Sequence, residues 1–313
     1  MNFTLKQLRY FVASAEAGSI TQASKALAIS QPSLSAAIAQ LEATFGLQLF
    51  LRHRAQGLSL TPSGRQFLSA ARRLLDHAEE LAAGARGLGS ALDGPLEIGC
   101  YVTLAPVFLP RLLKSFADSH PTTRVKFREG NVDVLLEDLA SGTTELAIAY
   151  DLELAGQVET EPLAGVAPYV LLAAEHPLAK RDAIPLEALI DEPMVLFDLP
   201  HSGDYFRSFF LTIGAEPEVR HRTASFEMVR GLVANGHGFA LLSLQPVSAR
   251  SYDGRRLVAR PLAHPVPPLP IVLARAKGAR LSRRAEAFAE HARAFFAGDA
   301  PGLGRPGATG RAS

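Results

Sequence analysis

A single cysteine, Cys100, in 313 residues leaves no partner for an intramolecular disulfide and no thiol pair for redox sensing. Its expected place is a buried position on a strand. No run of about 18 apolar residues is present to span a membrane. The opening MNFTLKQLRYFVASAEAG carries Lys6 and Arg9 but no continuous apolar core of signal-peptide type. A cytoplasmic protein with no membrane partner is therefore expected. The motifs of several enzyme classes are missing as well. There is no G-x-S-x-G elbow, no H-E-x-x-H and no C-x-x-C, and GARGLG from Gly84 lacks the Lys-Ser/Thr of a phosphate loop. No metal, no nucleotide and no other cofactor is expected.

Hydrophobic residues make up 48% and charged residues 20%, an ordinary globular balance that confines disorder to local segments. The length argues for two or three domains. A net charge of +1 hides a division. Residues 1–65 hold six cations (Lys6, Arg9, Lys25, Arg52, Arg54, Arg65) against Glu16 and Glu42, or +4, which leaves −3 for the other 248 residues. A basic head on a mildly acidic body suggests that the head alone meets a polyanion.

Within the head, Leu5, Leu8, Phe11, Val12 and Ala15 recur at helical spacing up to Gly18. Ser19 with Gln22 has the pattern of a capping box and leads into a second helix, with Ala23, Ala26 and Leu27 expected on its inner face. Ser30 caps a third helix, where Pro32 costs little because an N–H in the first turn lacks an intrahelical partner anyway. Leu34, Ile38, Leu41 and Phe45 form its apolar stripe. Ser30, Gln31, Ser33, Ser35, Ala36 and Gln40 are left on or near the other side. A solvent face is usually rich in Lys and Glu, and this one has neither. Low in charge and bulk, it suits base edges and thymine methyls in a major groove. Next, LFLRHRAQGLSLTPSG reads as a basic hairpin, with Arg52 and Arg54 placed for phosphate or the minor groove.

QLRYFVASAEAGSITQASKALAISQPSLSAAIAQLE followed by GLQLFLRHRAQGLSLTPSG resembles the winged helix-turn-helix of LysR-type transcriptional regulators. Residues 1–61 are thus expected to be the DNA-binding domain. Over residues 62–92, Ala71, Leu74, Ala78, Leu81, Ala85, Leu88 and Leu92 alternate at spacings of three and four, the seam of a coiled coil. In the family this helix pairs two heads, and a homodimer or homotetramer is expected.

From Gly94 apolar runs (PLEIGCYV, RVKFREG, ELAIAYD, YVLLAAE, PMVLFD, GFALLS, IVLARA) alternate with helical segments, which implies an α/β body with a mainly parallel sheet. Ligands of such folds bind beyond strand ends, at helix N-termini. Thr103 follows the first strand, either as a cap or as a ligand group. Phe197, Asp198, His201 and Ser202 are bunched between a strand and a helix, and Ser225 with Phe226 opens another helix. The body also resembles the family's effector domain, which is two-lobed and similar to periplasmic binding proteins. That resemblance implies lobe one at 93–163 and 263–297 and lobe two at 164–262. It assigns effector contacts to Tyr101, Thr103, Tyr150, Phe197, His201, Ser202, Ser225 and Phe226. Ser243 and Gln245 depart from the Pro many members carry near there. Residues 298–313 are rich in Gly, Pro and Ala, a disordered tail by composition.

The expected function is a promoter-binding regulator, not an enzyme, modulated by a small-molecule effector. The helix-start Thr103 and Ser225, with His201, favour an anionic one. Two other readings are a solute-binding protein of transport, opposed by the missing export signal, and a hydrolase using Ser202, His201 and Asp198, opposed by the missing elbow.

Overall fold

The computed structural model describes residues 3–53, 57–86, 92–152, 154, 156–264 and 266–298. Residues 299–313 of the expected tail lie outside them.

Three helices build the head: α1 (Leu5–Ala17), α2 (Ile20–Ala26) and α3 (Gln31–Phe45). Thr4 opens α1 with a reciprocal capping box to Gln7, and Gly18 closes it in the left-handed region at φ 56°. Ser19 and Ser30 cap α2 and α3 through the N–H groups of Gln22 and Ser33. Leu8, Phe11, Ala23, Leu34, Ile38 and Leu41 share one buried core. Leu5 and Ala26, expected inside, are exposed; Ser24 is buried in α2 instead. Phe45 is partly exposed but packs its ring against Phe3 and Phe67 at 5.3 and 5.0 Å.

Strands β1 (Phe50–His53) and β2 (Gly57–Leu60) pair antiparallel as a wing. Helix α4 (Pro62–Arg86) follows, and its start explains the Thr-Pro-x-Gly spacing. Thr61 Oγ1 donates to the Gln48 carbonyl at 2.7 Å and accepts from Gly64 N at 2.9 Å. A Cβ on Gly64 would collide with the Leu49 carbonyl oxygen. Along α4, Ala71 and Leu75 are buried against the head, while Leu74 and Leu81 are exposed, Leu81 by 77%. Leu88 of the expected seam lies outside the described residues. Arg72 ties three parts together, donating to Glu16 of α1 at 2.9 Å and to Thr143 of the body at 2.6 Å.

In the body, one sheet runs in the order β4 (Thr123–Gly130), β3 (Gly94–Tyr101), β5 (Leu146–Tyr150), β12 (Leu269–Ala276), β6 (Val158–Val166). The first three strands are parallel, whereas β12 runs antiparallel to both its neighbours. Helices α5 (Ala105–Ser119), α6 (Val132–Ser141) and α9 (Arg283–Ala297) complete this lobe around a core that includes Phe108, Phe116 and Phe288.

Lobe two holds the antiparallel set β10 (Ala240–Leu242), β7 (Tyr169–Ala173), β11 (Leu257–Pro261) and the parallel pair β8 (Met194–Phe197), β9 (Val219–Thr223). It also carries α7 (Ser202–Leu211) and α8 (Phe226–Ala234). The sheets are thus mixed rather than mainly parallel, because the returning strand β12 enters lobe one from lobe two instead of from a covering helix. Since β6 stays paired with β12 through Val166, the chain leaves lobe one at Ala167–Pro168, a few residues beyond Leu163. No described helix is long and apolar enough to cross a membrane.

Candidate nucleic-acid interface and ligand cleft

The exposed side of α3 begins at its cap. Ser30 Oγ lies 2.7 Å from Ser33 Oγ and accepts from Ser33 N at 3.3 Å, so the two serines hold one another. Gln31 is exposed, and its Oε1 accepts from Thr21 Oγ1 of α2 at 3.3 Å. Ser35 is half-buried. Gln40 is exposed but accepts from Gln7 Nε2 at 3.0 Å, which ties it to the start of α1. Pro32, Ala36 and Ala39 are exposed beside them, which leaves a smooth face without charge. Arg52 sits in β1 opposite Leu58, and Arg54 lies outside the described residues.

Glu42 of α3 does more than contribute charge. Its Oε1 accepts from Leu49 N at 2.7 Å and Phe50 N at 3.2 Å and so fixes the wing to α3. The sequence gives no local sign of this contact, which spans seven and eight residues.

Between the lobes, Tyr101 and Thr103 at the end of β3 and Tyr150 at the end of β5 face Phe197, Ser202 and Phe226 across a narrow cavity of about 20 Å³. Tyr101 and Tyr150 meet edge to face with centroids 5.1 Å apart, as do Phe197 and Phe226 at 6.1 Å. Burial pushes the Tyr101 phenol up to about 12 and raises Tyr150 as well, the latter opposed by a hydrogen bond with the Thr103 side chain. Thr103 does not cap α5, whose N-cap position is Leu104. It is buried and lines the cavity. Tyr205, Phe206, Ser243 and four leucines complete the lining.

Two expected contacts fall elsewhere. Ser225 caps α8 by accepting from Met228 N, is exposed, and lies outside the lining. His201, left-handed at φ 66°, points its Nε2 to Asp133 Oδ1 at 3.3 Å and borders a neighbouring groove instead. The same contacts separate the hydrolase residues. Ser202 Oγ donates to the Leu199 carbonyl at 2.9 Å, and Asp198 accepts from Arg222 at 3.2 Å, so no triad forms.

A helix-turn-helix with an uncharged exposed helix, joined by a long helix to a two-lobed domain with a cleft, defines a ligand-controlled DNA-binding regulator. Residues 5–65 match the bacterial regulatory helix-turn-helix proteins of the lysR family, and residues 89–297 match the LysR substrate binding domain. The chain belongs to the LysR family of DNA-binding transcriptional regulators. It is 38% identical to HinK, a LysR family transcriptional regulator from Pseudomonas aeruginosa, whose crystal structure covers 94% of this chain and 99% of its own with a TM-score of 0.64. Full-length CbnR in complex with its target DNA is 25% identical over 94% of this chain and 100% of its own, with a TM-score of 0.56. The hydrogen peroxide-inducible genes activator of Escherichia coli is 29% identical over 296 residues, 94% of this chain and 96% of its own.

Proposed function

We propose that this regulator is a cytoplasmic, non-enzymatic homodimer or homotetramer that reads promoter DNA with the start of α3 and responds to a small molecule in the cleft between its lobes. The carrying observation is the exposed face of α3, where Gln31, Ser33 and Ala36 present hydrogen-bonding and methyl groups without one charged side chain. Residues 1–61 form the reading head, 62–92 the pairing segment and 93–297 the sensor in this proposal. Arg52 and Arg54 of the wing supply phosphate contacts with little base information. Ligand binding in the cleft shifts the population of lobe arrangements and with it the spacing of paired heads.

The experiment is operator selection followed by gel shift at several salt concentrations. Gln31→Ala and Ser33→Ala should relax base preference, each lost base contact costing about 1–3 kcal/mol, whereas Arg52→Ala should weaken binding to every sequence and flatten the salt slope. An unaltered preference in both helix variants removes these side chains from base reading.

A further inference from the structure

The narrow cleft shares a wall with a second, larger space. Leu152, Tyr205 and Leu269 line both it and a groove of about 880 Å³ that continues past Phe209 and Val266. We infer that the effector is an uncharged amphipathic molecule, with one hydrogen-bonding head among the cleft hydroxyls and an apolar body lying past Tyr205 in the groove. The inference rests on the effector reading above and departs from the anionic ligand expected from the sequence.

The head compartment wants hydrogen bonds. Tyr101 is 1% exposed, and its hydroxyl has no partner in hydrogen-bonding geometry, although Ser202 stands nearby. The hydroxyls of Tyr205 and Ser243 are likewise buried and unsatisfied. All three residues line one space with room for roughly one water, and their unpartnered hydroxyls point to a polar group that completes them.

The same compartment offers no charge. Among the described residues, none that lines it is ionised at neutral pH. Two neighbouring cations are already engaged, Arg222 with Asp198 and Arg230 with Glu227 and the Ser248 and Arg250 carbonyls. The N-termini of α7 and α8 already hold Asp204 and Glu227 in their first turns, which offset the dipoles. Asp151 and Asp204 add negative charge on the groove wall. A buried carboxylate head would find no counter-ion here, and a buried ammonium head would find no carboxylate among the lining residues.

The groove is too large for a bound water or simple ion to fill. Its leucine, phenylalanine, valine and proline walls suit a hydrocarbon or aromatic body, while His201, His264, Ser208, Thr212 and the two aspartates form the polar part of the lining.

The test uses the full-length protein and four probes: octanamide, octanoate, octylammonium and acetamide, each measured by calorimetry and thermal unfolding. Octanamide should bind, octanoate and octylammonium at least about tenfold more weakly, and acetamide without measurable stabilisation. Tyr101→Phe should weaken octanamide about three- to tenfold, the usual worth of one hydrogen bond. Ser208→Trp, at an exposed position on the groove wall, should abolish the advantage of octanamide over acetamide while leaving the unliganded melting temperature in place. The proposal is overturned by octanoate binding as tightly as octanamide, by equal binding of acetamide and octanamide, by indifference to both substitutions, or by no binding of octanamide. The effector reading fails separately, if octanamide binds with these preferences and operator affinity in a gel shift does not change.

Discussion

His201 Nε2 lies 3.3 Å from Asp133 Oδ1 and joins the start of α7 in lobe two to the first turn of α6 in lobe one. His201 also lines the groove beside the cleft. Both side chains reach solvent, at 30% and 61% exposure, so an interaction of about 0–1 kcal/mol is expected. That is small for folding but enough to shift two lobe arrangements several-fold. Asp133→Asn should leave the melting temperature nearly unchanged while amide exchange at Leu104, whose N–H is bonded to the Tyr101 carbonyl, rises up to about fivefold. Exchange identical to the parent protein would show that the pair does not hold the lobes.

Glu42 places the wing. Its carboxylate takes the N–H groups of Leu49 and Phe50, two charge-assisted bonds at the point where β1 begins. Glu42→Ala should cost about 1.5–3 kcal/mol of head stability. Operator affinity should fall with base preference intact, because the α3 face is untouched; a changed preference in operator selection would mean that Glu42 orients α3 as well.

Leu81 is 77% exposed on α4, and Leu74 is partly exposed on the same helix. One helix cannot bury both, and a second copy of α4 would. Leu81→Asp should dissociate the dimer in sedimentation while changing the unfolding of the monomer little. An intact dimer would place the pairing surface elsewhere.

Burial holds the phenols of Tyr101 and Tyr205 near 12, against about 10 in the unfolded chain. A raised phenol pKa means that the unfolded state releases the proton first. The contribution to stability is therefore complete below about pH 10 and is lost as pH rises through about 12. Absorbance titration should show these tyrosines ionising only at the high end of that range or with unfolding, and Tyr101→Phe should remove one late step. A phenolate at position 101 formed near pH 10 in the folded protein would contradict the burial of that hydroxyl.

The head was legible because capping and periodicity are local: Ser19, Ser30 and the stripe Leu34, Ile38, Leu41 stand in the structure as their spacing implies. Strands β6, β9 and β11 were not read, since VETEPLAGV and VRHRT alternate with charged residues and are half-exposed. The helix start at Ser225 was recognisable, and Thr103 and Ser202 were read as lying just before helices, but not which of the three faces the cleft. That depends on how β3, α7 and α8 are rotated across two lobes, and a single chain segment carries no record of it. The contacts of Arg72 and Glu42 are non-local for the same reason.

The Escherichia coli relative is an activator of hydrogen peroxide-inducible genes, and the thiol of this chain can be judged on its own surroundings. Its chemistry argues against a cysteine route. Cys100 is the only cysteine, is fully buried near the C-terminal end of β3, and has its thiol pushed far up by desolvation with Glu129 adding to the shift. The thiolate that peroxide attacks is therefore scarce, and no second thiol exists within the chain to form a disulfide. Native protein should be unreactive toward a thiol reagent until denatured, and peroxide at levels that oxidise exposed thiols should leave operator binding unchanged. Cys100→Ala should behave likewise in the gel shift, with only the small stability loss of a slightly underfilled core. Rapid labelling of the native thiol, or a peroxide response abolished by Cys100→Ala, would make β3 a mobile redox element and overturn the burial argument.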